Sequence, residues 1–134
     1  MKTLLLCLMG LALGLAACGG GETTVEEIDP AGLAPSVDVD TVYALQDHPD
    51  VFLLDVREPD EYDASHIPGI TLIPMGEVAD RLSEIPTDQE VIVTCRTGNR
   101  SAQVVDFLRQ QGYSNVHNME GGIVAWEEAG YPVE

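Results

Sequence analysis

Two short, mostly apolar runs at residues 51–56 (VFLLDV) and 90–94 (EVIVT) constrain the fold of this chain most strongly. Runs of this length with apolar residues at consecutive positions are typical of strands that are buried on both faces of a sheet. A later segment repeats Ala102, Val105 and Leu108 at helical spacing. Strands that alternate with helices predict an α/β domain with a largely parallel central sheet.

Capping and turn residues predict the remaining elements. Val37 and Val39 alternate with polar residues, which favours a short first strand. Asp40 is a suitable N-cap for a helix, and Gly112 is suited to the position just after a helix ends. The predicted strands are residues 37–39, 51–56, 70–73, 90–94 and 116–119, and the predicted helices are residues 40–48, 59–63, 76–85, 100–111 and 122–129.

Residues 1–17 have the pattern of a targeting segment and not of a folded domain. Lys2 precedes an apolar run of about 15 residues, which is typical of a secretory signal and too short for a comfortable membrane span. Residues 15–18 (LAAC) resemble the lipobox of bacterial lipoproteins, in which the Cys is acylated before cleavage. The resemblance implies that Cys18 is the lipidated first residue of the mature chain. Ordinary signal cleavage that leaves an unmodified Cys is the alternative.

Residues 18–36 are predicted to be the lipidated Cys followed by a flexible acidic tether, since they are rich in Gly and then in acidic residues and Pro. A lipid on Cys18 implies anchoring to a membrane of the cell envelope, facing the periplasm or the exterior. Gly19 stands where the lipoprotein pattern for inner-membrane retention has Asp, which favours the outer membrane. The folded domain is predicted to span residues 37–134.

The chain is strongly acidic beyond its first residues. With Lys2 set aside, five Arg face 23 Asp and Glu, which leaves a net charge of −18. Such a charge repels nucleic acid and anionic membrane surfaces, so we expect no nucleic-acid partner. A well-solvated surface and adaptation to high salt both account for this acidity. Against this background Arg96 and Arg100, which lie beside a Cys, indicate a place where an anion binds.

The three Cys have different predicted fates. Cys7 lies in the leader and Cys18 is the predicted lipid site, so Cys95 is the remaining thiol of the folded domain. Exported proteins normally use Cys in pairs to form disulfides. A single thiol cannot form an internal disulfide, and it is either an inert buried Cys or a reactive one. The residues around Cys95 favour the second alternative.

Cys95 directly follows the predicted buried strand at residues 90–94 and precedes a loop that enters a helix. Backbone N–H groups of such a loop point at one spot, aided by the helix dipole, and form an anion-binding nest. Gly98 allows the tight turn, and Arg96 and Arg100 supply nearby cations. Helix N-termini and cations lower a Cys pKa from about 8.5 to about 3.5–7.5, so we expect a solvent-accessible thiolate near neutral pH.

Two reactions suit a thiolate in an anion-binding loop, phosphoryl transfer and sulfur transfer. Cysteine-dependent phosphatases have five residues between their Cys and Arg, whereas four residues separate Cys95 from Arg100. The smaller loop favours a single added sulfur over a tetrahedral phosphate. The lack of a second thiol argues against arsenate reductases that resolve through an internal disulfide.

Residues 95–101 (CRTGNRS) resemble the active-site loop of the rhodanese family. So do residues 54–58 (LDVRE) with Glu61-Tyr62, residues 66–69 (HIPG), and residues 120–122 (EGG) followed by Trp126, all in the family's order. The resemblance covers residues 37–134. It implies the rhodanese α/β fold, with a five-stranded, mostly parallel sheet and helices on both faces.

The resemblance also implies a sulfurtransferase in which Cys95 takes a sulfane sulfur from a donor such as thiosulfate and passes it to a thiol, to cyanide or to a protein thiol. The predicted substrate-binding residues are Arg96, Thr97, Gly98, Asn99, Arg100 and Ser101. The two Arg would bind the oxyanion of the donor, although Arg100 has an ion pair with a carboxylate as its alternative. The others would act through backbone amides, and the Ser101 hydroxyl would bond the sulfur or cap the helix.

The resemblance implies that no metal or organic cofactor is needed. The three His are scattered and show no spacing typical of metal ligands. Asp55 and Arg57 are interpreted as structural, and His66 as a histidine bonded to nearby backbone. A non-catalytic binding module with the same surface is the remaining alternative. The physiological donor, the acceptor and the oligomeric state are left open by the sequence.

Overall fold

The computed structural model describes residues 26–134. The predicted signal peptide at residues 1–17 and the predicted lipid site at Cys18 lie outside these residues. No helix in residues 26–134 has both the length and the apolar character needed to cross a membrane.

A five-stranded parallel sheet forms the centre of the domain. Its spatial order is β1-β5-β4-β2-β3, and every neighbouring pair runs parallel. Asp55 at the end of β2 lies opposite Thr94 at the end of β4, so the residues that follow both strands meet at one edge of the sheet. The strands are β1 (Ser36–Val37), β2 (Val51–Asp55), β3 (Thr71–Leu72), β4 (Glu90–Thr94) and β5 (Val116–Met119).

Helices cover both faces of this sheet, as predicted. The helices are α1 (Val39–Leu45), α2 (Pro59–Ala64), α3 (Asn99–Gln110) and α4 (Gly122–Glu128). On one face α3 contributes Leu108 to a hydrophobic cluster with β2 and β4. On the other face Leu45 of α1 and Trp126 of α4 belong to a second cluster. The sheet is therefore buried on both sides, which explains why β2 and β4 read as continuous apolar runs.

The first helix begins earlier than predicted. Asp38, not Asp40, is its N-cap, because the Asp38 carboxylate accepts a hydrogen bond from the Thr41 backbone N–H at 2.8 Å. Asp40 lies in the first turn of α1, where its charge suits the helix dipole. The strand predicted at residues 37–39 consequently ends at Val37.

The helix predicted at residues 76–85 is wrong. Two 3-10 helices, Met75–Asp80 and Leu82–Glu84, occupy this stretch. Arg81 separates them with a φ of −124° and a ψ of 25°, which is not helical. The chain instead follows the surface of the cluster beneath α3, where Val78 and Ile85 are buried. Packing of these side chains outweighs the local preference on which the prediction of one continuous helix depended.

The packed part of the chain extends beyond the predicted boundary at residue 37. Ile28 and Leu33 pack against the cluster on the α1 and α4 face, and Pro30 is buried in a 3-10 helix. The carbonyl of Ala34 accepts a hydrogen bond from the ring of His117 at 2.6 Å. The stretch predicted to be a free tether up to residue 36 therefore docks on the domain from about residue 28.

Candidate active site

Cys95 lies directly after β4 and at the base of the loop that leads into α3, as predicted. Its expected solvent accessibility is wrong, since only 1% of the residue is exposed. The loop turns back over the sulfur at Gly98, which has a φ of +99° that only Gly adopts readily. The thiol is thus enclosed by the loop that was predicted to present it.

Hydrogen-bond donors converge on the Cys95 sulfur. The backbone N–H of Gly98 donates to it at 3.1 Å, and the Ser101 hydroxyl oxygen lies 3.3 Å away. Burial raises the pKa of Cys95, but the Ser101 hydroxyl and the backbone N–H groups of Ser101, Thr97 and Gly98 together lower it below its usual value. The predicted lowering of the pKa of Cys95 is confirmed in direction, and the hydrogen-bond donors of the loop and of Ser101 are its main source.

The two Arg of the loop have different surroundings. Arg100 forms a bidentate ion pair with Glu61 of α2, with both Nη–Oε distances at 2.8 Å. This pair raises the pKa of Arg100 above its usual range. The Arg96 side chain is exposed, and no ion pair of Arg96 occurs within residues 26–134. Arg100 therefore has the ion pair with a carboxylate that was the alternative to its predicted role in binding the donor. The Arg96 side chain faces solvent.

The Glu61–Arg100 pair is expected to make stability depend on pH. The Arg100 guanidinium lowers the pKa of Glu61 from 4.5 to about 2. Stability from this pair is fully present above pH 4.5 and is lost as the pH falls towards 2, because the unfolded chain takes up the proton first. We expect Glu61→Gln to lower the free energy of unfolding by about 1 kcal/mol near pH 7 and by less at lower pH. Denaturant unfolding of both proteins across this range measures the difference, and a constant difference would contradict the assignment.

The N-terminus of α4 holds the loop from the other side. The backbone N–H of Ile123 donates to the Cys95 carbonyl at 2.9 Å, and that of Val124 donates to the Arg96 carbonyl at 3.1 Å. Gly122 precedes them with a φ of +59°, and a Cβ there would lie 2.4 Å from Arg96 backbone atoms. These two bonds fix the backbone of Cys95 and Arg96 against the start of α4.

Thr97, Asn99 and Ser101 were predicted to act mainly through their backbone amides. The Thr97 and Asn99 side chains are exposed, and Asn99 is the first residue of α3. Ser101 is fully buried, and its hydroxyl contacts both the Cys95 sulfur and Asn118 of β5. The substrate-binding roles of these residues stay predictions.

Asp55 and Arg57 form a buried structural pair. The Arg57 guanidinium bonds both carboxylate oxygens of Asp55 at 2.8–3.1 Å and also donates to the Ser65 carbonyl at 2.8 Å. His66 contacts the Tyr62 carbonyl through Nδ1 at 2.9 Å, so its interpretation as a backbone-bonded histidine is confirmed. Residues 26–134 contain no group of three or more His, Cys, Asp or Glu placed to hold a metal ion.

A cleft of about 310 Å³ lies beside the loop. Its wall includes Arg96 and Glu127, together with Arg57 and Glu61, which are ion-paired to Asp55 and Arg100. Ile123 and Val124 of α4 provide its apolar part. Arg96 is the part of the loop that lines this cleft, and the lining does not include Cys95.

Sequence reasoning missed two contacts that shape the site. Glu61 belongs to a motif that was noticed, but nothing local indicated that it pairs with Arg100, which lies 39 residues away. Asn118 lies 17 residues from Ser101 and looks like an ordinary strand residue. For Asn118, the available signal was its place near the carboxyl end of a predicted strand, where polar side chains gather in a parallel sheet.

Comparisons with known proteins agree with this geometry. The chain is 41% identical over 109 residues to a protein named Sulfurtransferase from Allochromatium vinosum, covering 81% of this chain and 94% of that protein. It is 38% identical over 85 residues to Thiosulfate sulfurtransferase GlpE from Pseudoalteromonas translucida, covering 63% of this chain and 81% of that protein.

A solved structure shows the same fold. The crystal structure of a rhodanese-related protein from Thermoplasma volcanium aligns with a TM-score of 0.70 and 37% identity, over 75% of this chain and 98% of that one. The family model described as Rhodanese-like domain matches residues 38–129. The chain therefore belongs to the rhodanese-like family and has relatives that are named sulfurtransferases.

Proposed function

We propose that this protein moves a sulfane sulfur from a donor such as thiosulfate to a thiophilic acceptor through a persulfide on Cys95. The observation that carries the proposal is the set of donors around the buried sulfur, with the Gly98 N–H at 3.1 Å and the Ser101 hydroxyl at 3.3 Å. Such donors stabilise a sulfur anion in place of water. The relative from Pseudoalteromonas translucida, named a thiosulfate sulfurtransferase, supports this choice of donor.

The proposed cycle has two displacements at sulfur. The Cys95 thiolate attacks the outer sulfur of thiosulfate, a new S–S bond forms, and the donor's own S–S bond breaks. Sulfite leaves with the electron pair of that bond. An acceptor thiolate or cyanide then attacks the outer sulfur of the persulfide and releases Cys95 as a thiolate. No external oxidant or reductant is consumed, and the covalent intermediate divides the transfer into two easier steps.

Arg96 is proposed to guide the anionic donor. It is exposed at the mouth of the loop and lines the cleft beside it, whereas Arg100 is bound by Glu61. In a chain with a net charge of −17 an anion is repelled by most of the surface, so one accessible guanidinium has a large local effect. Arg100 is proposed to act mainly by holding α3 and the loop in register with α2.

Intact mass before and after thiosulfate treatment tests the persulfide. The sample is the chain with Cys7→Ser and Cys18→Ser, here called the single-thiol chain, in which Cys95 is the remaining Cys. We expect a mass gain of one sulfur atom that cyanide removes, with thiocyanate formed in equal amount. The same chain with Cys95→Ser should show no gain, because the thiolate is the nucleophile.

Two other outcomes would replace the proposal. No mass gain from a Cys95 that reacts readily with alkylating agents would indicate a different donor or phosphate chemistry. No gain from an unreactive Cys95 would favour a non-catalytic binding module, for which burial of the thiol to 1% exposure would then be the supporting observation.

We also propose that lipid on Cys18 anchors the protein to a membrane of the cell envelope, with the domain facing the periplasm or the exterior. The support is the leader pattern of residues 1–17 and the LAAC sequence that ends at Cys18. More than one acyl chain would make the attachment stable. Intact mass of the natural full-length chain expressed in a bacterium tests this. We expect a mature chain that starts at Cys18 and carries acyl groups, and Cys18→Ser should abolish both.

A further inference from the structure

We propose that Asn118 is a positioning residue for Cys95, which sets the direction of the Ser101 hydroxyl and so decides when that hydroxyl donates to the sulfur. The inference rests on Cys95 being the reactive thiol of the proposed function. Asn118 lies on β5, where it pairs with Val93 of β4 and with Ser36 of β1. Its backbone is therefore held from both sides of the strand.

The Ser101 hydroxyl lies between two acceptors. Its oxygen is 2.6 Å from Asn118 Oδ1 and 3.3 Å from Cys95 Sγ. A serine hydroxyl carries one hydrogen and cannot donate fully to both. The shorter distance is that of a good O–H···O bond, so we infer that the hydrogen points to Asn118 while Cys95 is a neutral thiol and turns to the sulfur when Cys95 is a thiolate.

The amide of Asn118 is itself oriented. Its Nδ2 donates to the Gly98 carbonyl at 3.4 Å, which turns Oδ1 towards Ser101. Gly98 is the loop residue whose N–H donates to the Cys95 sulfur. The Asn118 side chain thus contacts both Ser101 and Gly98, the two residues that bond the sulfur. Among residues 26–134, every buried side-chain N or O atom has a hydrogen-bond partner.

This geometry suits the two charge states of Cys95 differently. In the thiol, the S–H donates to the Ser101 oxygen while the Ser101 hydroxyl donates to Asn118, and every group is bonded. In the thiolate, the sulfur has no hydrogen, and the Ser101 hydroxyl must turn from Asn118 to the sulfur. Asn118 therefore favours the thiol and opposes the loop N–H groups that favour the thiolate. Such a balance keeps the thiolate nucleophilic, because nucleophilicity falls as the pKa of a thiol falls.

Titration of Cys95 in the single-thiol chain tests the inference. The pKa is read from the pH dependence of the alkylation rate and from the ultraviolet absorbance of the thiolate. Asn118→Leu removes the competing acceptor at similar side-chain size, and we expect the pKa to fall by about 0.5–1 unit. Ser101→Ala removes the donor and should raise the pKa by about 1 unit.

The combined variant separates positioning from a general effect of the substitution. If Asn118 acts through Ser101, Asn118→Leu should leave the pKa unchanged in the Ser101→Ala background. An equal shift in both backgrounds, or no shift in either, would overturn the inference. Should Asn118→Leu fail to fold, Asn118→Ala removes the same acceptor without added bulk and has the same expected result.

The charged groups on the elements around the thiol are kept in every variant, so a shift is attributed to the hydroxyl. The titration needs no sulfur donor. A chain that takes up no sulfur but shows the background-dependent shift would disprove the proposed function and support this inference, whereas sulfur uptake without the shift would do the reverse. The charged groups around the thiol that every variant keeps are Asp55, Arg57, Glu58, Glu61, Arg96 and Arg100.

Discussion

Replacing Arg57 by Met is expected to lower the free energy of unfolding by about 3–5 kcal/mol, the largest effect on stability that we expect from one substitution here. The Arg57 and Asp55 side chains are 4% and 1% exposed. Met would leave the Asp55 carboxylate buried without its partner and would also free the carbonyls of Glu61 and Ser65. Chemical denaturation at neutral pH measures the loss.

Arg81→Met is the matched control for that substitution. Arg81 forms ion pairs with Glu77 and Glu84, but the side chains of these two residues are 56% and 50% exposed. Exposed pairs contribute little, so we expect a much smaller loss of stability than for Arg57→Met. Equal losses for the two variants would show that burial of the Asp55–Arg57 pair has no special weight.

Replacing Gly122 by Ala is expected to slow sulfur transfer by about 100-fold, since small displacements of a reacting group have effects of this order. The added Cβ would lie 2.4 Å from the Arg96 carbonyl carbon and oxygen and 2.5 Å from the Cys95 carbonyl oxygen. These are backbone atoms that cannot rotate away, so either the loop or α4 must move. The N–H groups that converge on Cys95 then lose their alignment. Steady-state rates of thiocyanate formation measure the effect.

Gly112→Ala provides the control for backbone strain. Gly112 has a φ of +97°, but a Cβ there would meet nothing within 4 Å. Both substitutions carry the cost of a left-handed Ala, about 1–2 kcal/mol, and only Gly122→Ala adds the clash at the loop. We expect Gly112→Ala to lower stability without changing the rate. A comparable loss of rate in both variants would indicate that general destabilisation, not loop displacement, is responsible.

The sequence by itself determined the architecture and the place of the thiol. Strands β2 and β4 were predicted within one residue of their bounds, because a strand covered on both faces needs a continuous apolar run. Helix α3 was predicted within one residue as well, since the spacing of its apolar residues is a local property. Cys95 at the end of β4 followed directly from these two elements.

Local patterns failed where a segment's form depends on what it packs against. The stretch from Met75 to Glu84, predicted to belong to one helix, lies on the cluster beneath α3 as two short 3-10 helices. Ile28 and Leu33 dock on the opposite face, although their composition is that of a linker. In both cases the deciding free energy comes from contacts with distant residues, which outweigh local propensity.

The tertiary structure alone decided how the thiol is enclosed and which groups reach it. Glu61 holds Arg100, Asn118 holds the Ser101 hydroxyl, and α4 holds the carbonyls of Cys95 and Arg96. These partners come from α2, β5 and α4, which are far apart along the chain and meet only when parallel strands align their carboxyl ends at one edge. Composition and spacing describe each segment separately, whereas the protonation of a buried sulfur depends on the donors and charges that the fold brings around it.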